Sequence, residues 1–232
     1  MDTTQTNNNL KCIDGFGLKL IAIITMLIDH TGAVLFPQYL FLRIIGRLAF
    51  PIFCFLIVEG FQHTKNIKVY LSRLFLFALI SEIPFDLAFN SSIDFLHDTN
   101  VFFTLGFGLL VIYSVDSIKK ITDNKYGNLF IYIPIIAISY YLAYYLQTDY
   151  SIGGVTLILI IYLFKNRSLP RFVIATVSLY LFFGFIEALG AISFLPIQLY
   201  NNKRGPKIKY LFYLFYPCHL LLLWYISKHL LS

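Results

Sequence analysis

Eight predominantly apolar stretches follow one another along the chain, at about residues 18–36, 41–61, 69–89, 100–116, 128–147, 152–164, 172–200 and 210–230. A bilayer-spanning helix needs about 20 such residues. Lipid offers a backbone no hydrogen bonds, so only helices or a closed barrel can cross it. The stretches are unbroken rather than alternating, which selects helices. Of the 232 residues, 58% are hydrophobic and only 13% are charged, against about 25% charged in an ordinary soluble domain. A soluble globular enzyme, a disordered chain and a collagen-like fibre are thereby excluded. The expected fold is an all-α, polytopic helical membrane bundle.

The stretch at 172–200 is long for one span, and charge decides how it folds. Turning it near Glu187 and Gly190, as two short helices or a hairpin, makes about nine crossings. Fourteen of the 18 basic residues, from Lys11 and Lys19 through Lys65 and Lys119 to Lys203 and Arg204, then fall on one side. The other side keeps Lys228, while Arg43, Arg47 and Arg73 lie within spans. By the positive-inside rule the basic side and the N-terminus are cytoplasmic, which makes this a multi-pass protein of the cell inner (cytoplasmic) membrane. The net charge of +6 is then explained by topology and anionic lipid, and no nucleic-acid partner is expected. Neither a removable signal peptide nor an internal repeat is evident, so residues 1–232 read as a single transmembrane domain with a polar cytoplasmic N-terminus over 1–13. Three cysteines provide no disulfide framework; Cys54 and Cys218 read as buried small hydrophobes within spans.

Charges inside a bilayer cost about 2.5–3.5 kcal/mol each on insertion scales, so those in the spans need partners. They are Asp29 and His30 in the first span, Arg43, Arg47 and Glu59 in the second, and Arg73, Glu82 and Asp86 in the third. Glu187 follows at the expected turn and His219 in the last span. If the second and third spans are antiparallel neighbours, equal depth pairs Arg47 with Glu82, Arg43 with Asp86 and Glu59 with Arg73. Asp29 offers an alternative partner for Arg47. The same depth count brings His30, Arg47, Glu82 and His219 into one layer, a convergence suited to proton transfer. Glu59 and His63, four apart, are half a metal site at most; no HExxH or CxxC accompanies them, and no metal is expected.

Several ordered motifs carry a family resemblance: Met26-Leu-Ile-Asp29-His30, Gly46-Arg47-Leu-Ala-Phe-Pro51, Glu59-Gly60-Phe61-x-His63-Thr64, Ser81-Glu82-Ile-Pro84, Tyr200-Asn-Asn-Lys203-Arg204-Gly205 and Tyr216-Pro217-x-His219. The chain resembles the TraX family, named for the membrane acetylase of F-pilin subunits, from about residue 14 to the last span. In the family a glycine commonly stands where this chain has Asn202. The resemblance implies acetyl transfer from acetyl-CoA to an amine, with a pilin N-terminus as the founding acceptor. It is also similar in plan to larger acyltransferases that modify surface glycans, so a peptide or a glycan acceptor is expected, with membrane lipids as surroundings.

By the resemblance His30 is the favoured general base, with Asp29, Arg47, Glu82 and His219 as further catalytic candidates. Glu59, His63, Arg73, Lys203 and Arg204 are the candidates for holding acetyl-CoA on the cytoplasmic side. His30, or His219 in its place, would take the acceptor's proton as it attacks the thioester, and Arg47 or another donor would stabilise the oxyanion. A covalent route through Cys54 or Cys218 lacks an identifiable activating environment. A proton-coupled transporter or flippase is the rival reading, since such carriers also bury ionisable groups.

Overall fold

The structure is a computed structural model that describes residues 11–90, 93–120, 125–206 and 208–230; the start of the polar N-terminus, Lys207 and the side chains of Lys125 and Lys209 lie outside the described residues. It is helical throughout its named elements. In chain order these are α1 Gly15–Val34, α2 Leu40–Gly46, α3 Ala49–His63, α4 Ile67–Phe89, α5 Val101–Lys119 and α6 Lys125–Tyr145. Then come α7 Ser151–Leu163, α8 Ser168–Phe183, α9 Phe185–Ala188, a 3-10 turn Leu189–Ser193, α10 Phe194–Gln198 and α11 Lys209–His229. Among the described residues, four segments are long and apolar enough to cross a membrane: Gly15–Val34, Leu40–His63, Val101–Lys119 and Tyr210–His229.

Local chemistry sets the helix starts. Asp14 caps α1 by accepting from the Gly17 amide at 2.7 Å, Asn66 caps α4 through the Val69 amide, and Asn100 caps α5 through the Phe102 amide. Such side chains satisfy amides that the first helical turn leaves unpaired. Interior prolines at Pro84, Pro134 and Pro217 each remove one helical hydrogen bond. Outward faces carry exposed Leu76, Leu79, Ile80 and Ile83 on α4 and Leu211, Leu214 and Leu222 on α11. Apolar surface on that scale suits lipid, not water.

The long apolar stretch does divide, but earlier than expected. α8 ends at Gly184, whose φ of 88° is open to glycine and strained for other residues. Gly190, the expected turn, instead packs against α3: a Cβ there would lie 2.6 Å from the Arg47 carbonyl oxygen. The returning segment ends beside the start of α1. Asn201 donates to the Ile13 carbonyl at 2.9 Å, and Gly15 donates to the Lys203 carbonyl at 2.7 Å. Lys19, Lys65 and Arg204 therefore gather at one end of the bundle, as the charge partition requires.

The expectation that the second and third spans pack as neighbours is not met. α11 packs between α1 and α4, and α5 contacts both α3 and α4. α3 and α4 approach at their shared turn, where the Tyr70 hydroxyl crowds Gly60, and the space between them farther on is a pocket. Cys54 is buried as expected, whereas Cys218 is exposed on the outer face of α11.

Candidate functional site

The pocket, of about 650 Å³, is walled by α1, α3, α4, α5, α11 and the 200–204 connection. Its mouth carries Lys19, Lys65, Arg73 and Arg204 together with Glu59 and His63. Its inner end is formed by Met26, Leu74, Val101, Phe102, Leu105 and Tyr216. Lys19 and His30 are eleven positions apart on α1, about 16 Å of helix rise. The cationic mouth thus sits at one end of an apolar passage, and the histidines lie beyond the other.

His30 and His219 lie just behind that inner end, one helical turn beyond Met26 and Tyr216. His30 Nδ1 is 2.7 Å from His219 Nε2, and the two rings are nearly parallel, inclined by 6°. His219 Nδ1 lies 2.7 Å from the Phe215 carbonyl oxygen. A carbonyl only accepts, so His219 Nδ1 carries a proton and donates it. In the neutral pair His219 Nε2 is then the acceptor, His30 Nδ1–H the donor, and His30 Nε2 holds the available lone pair. Phe89 and Tyr216 stand edge-on to the His30 ring at 5.3 and 5.9 Å and fix its orientation.

An ion cluster braces the other side of α1. Asp29 receives Arg43 Nη1 at 2.6 Å and Arg47 Nη2 at 2.9 Å, and Arg47 Nη1 reaches Glu187 Oε1 at 2.6 Å. Arg47 Nη1 also donates to the Tyr150 hydroxyl at 3.3 Å. The break between α2 and α3 at Arg47–Leu48 turns both arginines towards α1 and the Phe185–Gln198 segment. Gly46 makes the approach possible, because a Cβ there would stand 2.1 Å from the Asp29 Cβ. The expected pairs of Arg47 with Glu82 and Arg43 with Asp86 are therefore replaced by bonds to Asp29 and Glu187.

Glu82 lies elsewhere, fully enclosed. Its Oε2 accepts from the Asn100 side-chain amide and, at 3.3 Å, from the Asn100 backbone amide. It thereby holds the cap of α5, next to the pocket wall. Asp86 accepts from Asn90 Nδ2 at 2.7 Å and from the Asp94 amide at 2.8 Å. Glu59 accepts from the Tyr200 hydroxyl at 2.9 Å in place of the expected pairing with Arg73.

Of the expected catalytic set, the structure joins His30 with His219 and Asp29 with Arg47, and sets Glu82 apart from both pairs. Of the expected acetyl-CoA contacts, Glu59, His63, Arg73 and Arg204 line the pocket. Lys203 lies outside the lining, its carbonyl tied to Gly15. Lys19, Lys65 and Tyr216 also line it, without having been singled out as site residues from sequence. The signal for Tyr216 is its place three residues before His219, on the same helix face.

The TraX family, described as TraX protein, matches residues 15–227 of the chain. A probable fimbrial assembly protein FimC, serogroup H1, of Dichelobacter nodosus is 31% identical over 237 aligned positions, covering 90% of this chain and 93% of that relative. The uncharacterized protein RP591 of Rickettsia prowazekii (strain Madrid E) is 31% identical over 134 positions, covering 58% of this chain and 49% of the relative. The chain thus matches about half the length of this second relative. No solved structure matches.

Proposed function

This chain belongs to the TraX family, and from that membership we propose an integral membrane acyltransferase that moves the acetyl group of acetyl-CoA to an amine or hydroxyl. The observation that carries this reading is a passage from a cationic mouth to the Tyr216 wall, against which the histidine pair packs. Lys19, Lys65, Arg73 and Arg204 offer donors for phosphates, the apolar middle suits a pantetheine arm, and the acyl end arrives at Tyr216, in front of the histidines. His30 Nε2 accepts the acceptor's proton, and His219 holds His30 in the required tautomer. Both terminal nitrogens of Arg47 are committed to Asp29 and Glu187; this supports a bracing role for Arg47 over oxyanion stabilisation.

The acceptor is a membrane-associated or exported molecule, and the fimbrial relative supports a pilin-like peptide amino terminus ahead of a glycan. The described residues supply nine helical segments in series when α2–α3 and Phe185–Gln198 each count once. We infer nine crossings of the inner membrane with the N-terminus and the pocket mouth in the cytoplasm, where acetyl-CoA is. A proton-coupled carrier is the second reading, favoured by the adjacency of the buried His30–His219 pair to the Asp29–Arg47–Glu187 cluster.

The test is calorimetric titration of the purified protein with acetyl-CoA, followed by thioester cleavage with a peptide that has a free amino terminus. Binding that weakens with dephospho-CoA and in Lys65→Ala/Arg204→Ala, together with acetylated peptide in the mass spectrum, supports the reading. Absence of acetyl-CoA binding, or binding without transfer, sinks it and leaves the carrier.

A further inference from the structure

Tyr216 sits at the inner end of the pocket, 3% exposed. Its ring is held on three sides: edge-on to Phe102 at 5.2 Å, to His30 at 5.9 Å and to His219 at 5.7 Å. Its hydroxyl nonetheless completes no hydrogen bond. A buried tyrosine hydroxyl normally finds a partner, and leaving one without costs about 1–3 kcal/mol. The polar groups that act on it are Asp149, Glu82, the Val101 backbone amide and Tyr150. The Asn100 side chain satisfies only Oε2 of Glu82, and Oε1 has no partner. A ring packed on the histidine pair, in the wall of the passage, thus carries an enclosed O–H with its bond unmade.

We propose that the Tyr216 hydroxyl is the donor for the acyl carbonyl oxygen, and so a catalytic residue of the transfer. This rests on the acyltransferase reading. The acceptor's lone pair forms a bond to the thioester carbonyl carbon while His30 Nε2 takes the acceptor's proton. The carbonyl π pair moves onto oxygen, and the Tyr216 O–H holds that oxyanion by a hydrogen bond without giving up its proton. When the oxyanion collapses, the C–S bond breaks and the CoA thiolate leaves with the proton returned by the imidazolium. No oxidant or metal enters the balance. The donor acts most strongly on charge that exists only in the transition state, which is where such an interaction accelerates a reaction.

Tyr216→Phe in the full-length protein removes the hydroxyl and keeps the ring. With acetyl-CoA and a peptide bearing a free amino terminus, kcat should fall by about 10²–10³-fold, the effect of losing one oxyanion donor. KM for acetyl-CoA should stay within about two-fold, as for an interaction made in the transition state. The thermal unfolding midpoint should hold or rise, because an unsatisfied buried hydroxyl has been removed. Unchanged kcat in Tyr216→Phe, with active wild type, overturns the role of Tyr216 alone. A lower midpoint, or failure of the variant to fold, also overturns it, since the hydroxyl would then be bonded to Glu82 or Val101. Wild type that binds acetyl-CoA but cleaves no thioester overturns the acyltransferase reading instead, and this inference with it.

Discussion

His30 and His219 are 189 positions apart in the chain, and their ring nitrogens meet at 2.7 Å. α11 brings them together by packing back beside α1. The Phe215 carbonyl, on the far side of His219, orders the protons along the pair and leaves the lone pair on His30. One backbone oxygen therefore distinguishes two otherwise similar histidines; in the proposed transfer His30 is the base and His219 the positioning residue.

That division predicts unequal and graded effects at position 219. His219→Ala should lower turnover by about 10–100-fold, the loss typical when the hydrogen bond that orients a functional imidazole is removed. His219→Gln should recover much of it, because a glutamine carbonyl oxygen placed near the former Nε2 accepts from His30 Nδ1–H. Acetyl-CoA affinity should not move in either variant. Equal loss in the alanine and glutamine variants would show that the bond to His30 is not what matters.

The arginine pairing is testable by a double-mutant cycle on Arg47→Leu and Glu187→Leu. Removing one partner of a buried pair costs about 3–5 kcal/mol, so each single variant should lower the yield and unfolding midpoint. The coupling between them should lie in the range of about 0.5–3 kcal/mol expected for contacting residues. The cycle of Arg47 with Glu82 should be additive. Coupling to Glu82 and none to Glu187 would restore the interhelical ladder and contradict the structure.

Why that ladder looks plausible in sequence, and is absent, has a physical cause. Counting equal depths assumes that the second span is straight and that the third lies against it. The turn at Arg47–Leu48 breaks the first condition, and α11 with the pocket breaks the second. Glu82 takes its partner for Oε2 from Asn100, a neutral cap eighteen residues on, which no search for opposite charges can find. By contrast His30 and His219 are legible, since their depth does not depend on which helices touch. The split of the long apolar stretch is legible too. Which glycine makes the turn is not: Gly184 supplies the positive φ, while Gly190 supplies close packing against the Arg47 carbonyl.

Gly46 should tolerate no side chain. A Cβ at that position would overlap Asp29, and relief requires moving either α2 or the carboxylate that holds both arginines. Gly46→Ala should destabilise the protein by about 1–3 kcal/mol, the usual range for overpacking, and lower turnover with it. An unchanged unfolding midpoint would mean that Asp29 is not held against Gly46.

Asn202 lies at the pocket mouth with φ 59°, a left-handed conformation that asparagine tolerates better than most residues and glycine better still. Asn202→Gly should therefore leave the unfolding midpoint unchanged or raise it, and Asn202→Val should lower it, at a cost of about 1–2 kcal/mol of stability. Equal midpoints in the two variants would contradict this backbone conformation.

The central claim is that His30 accepts the proton of the attacking group, and single-turnover acetyl transfer measures it most directly. Wild type and His30→Ala, both folded and both saturated with acetyl-CoA, would be mixed with a peptide bearing a free amino terminus and the acetylated product followed in time. The account predicts equal acetyl-CoA affinity and a transfer rate lower by about 10²–10⁴-fold in His30→Ala, the contribution of a general base. Transfer by His30→Ala at the wild-type rate would contradict it.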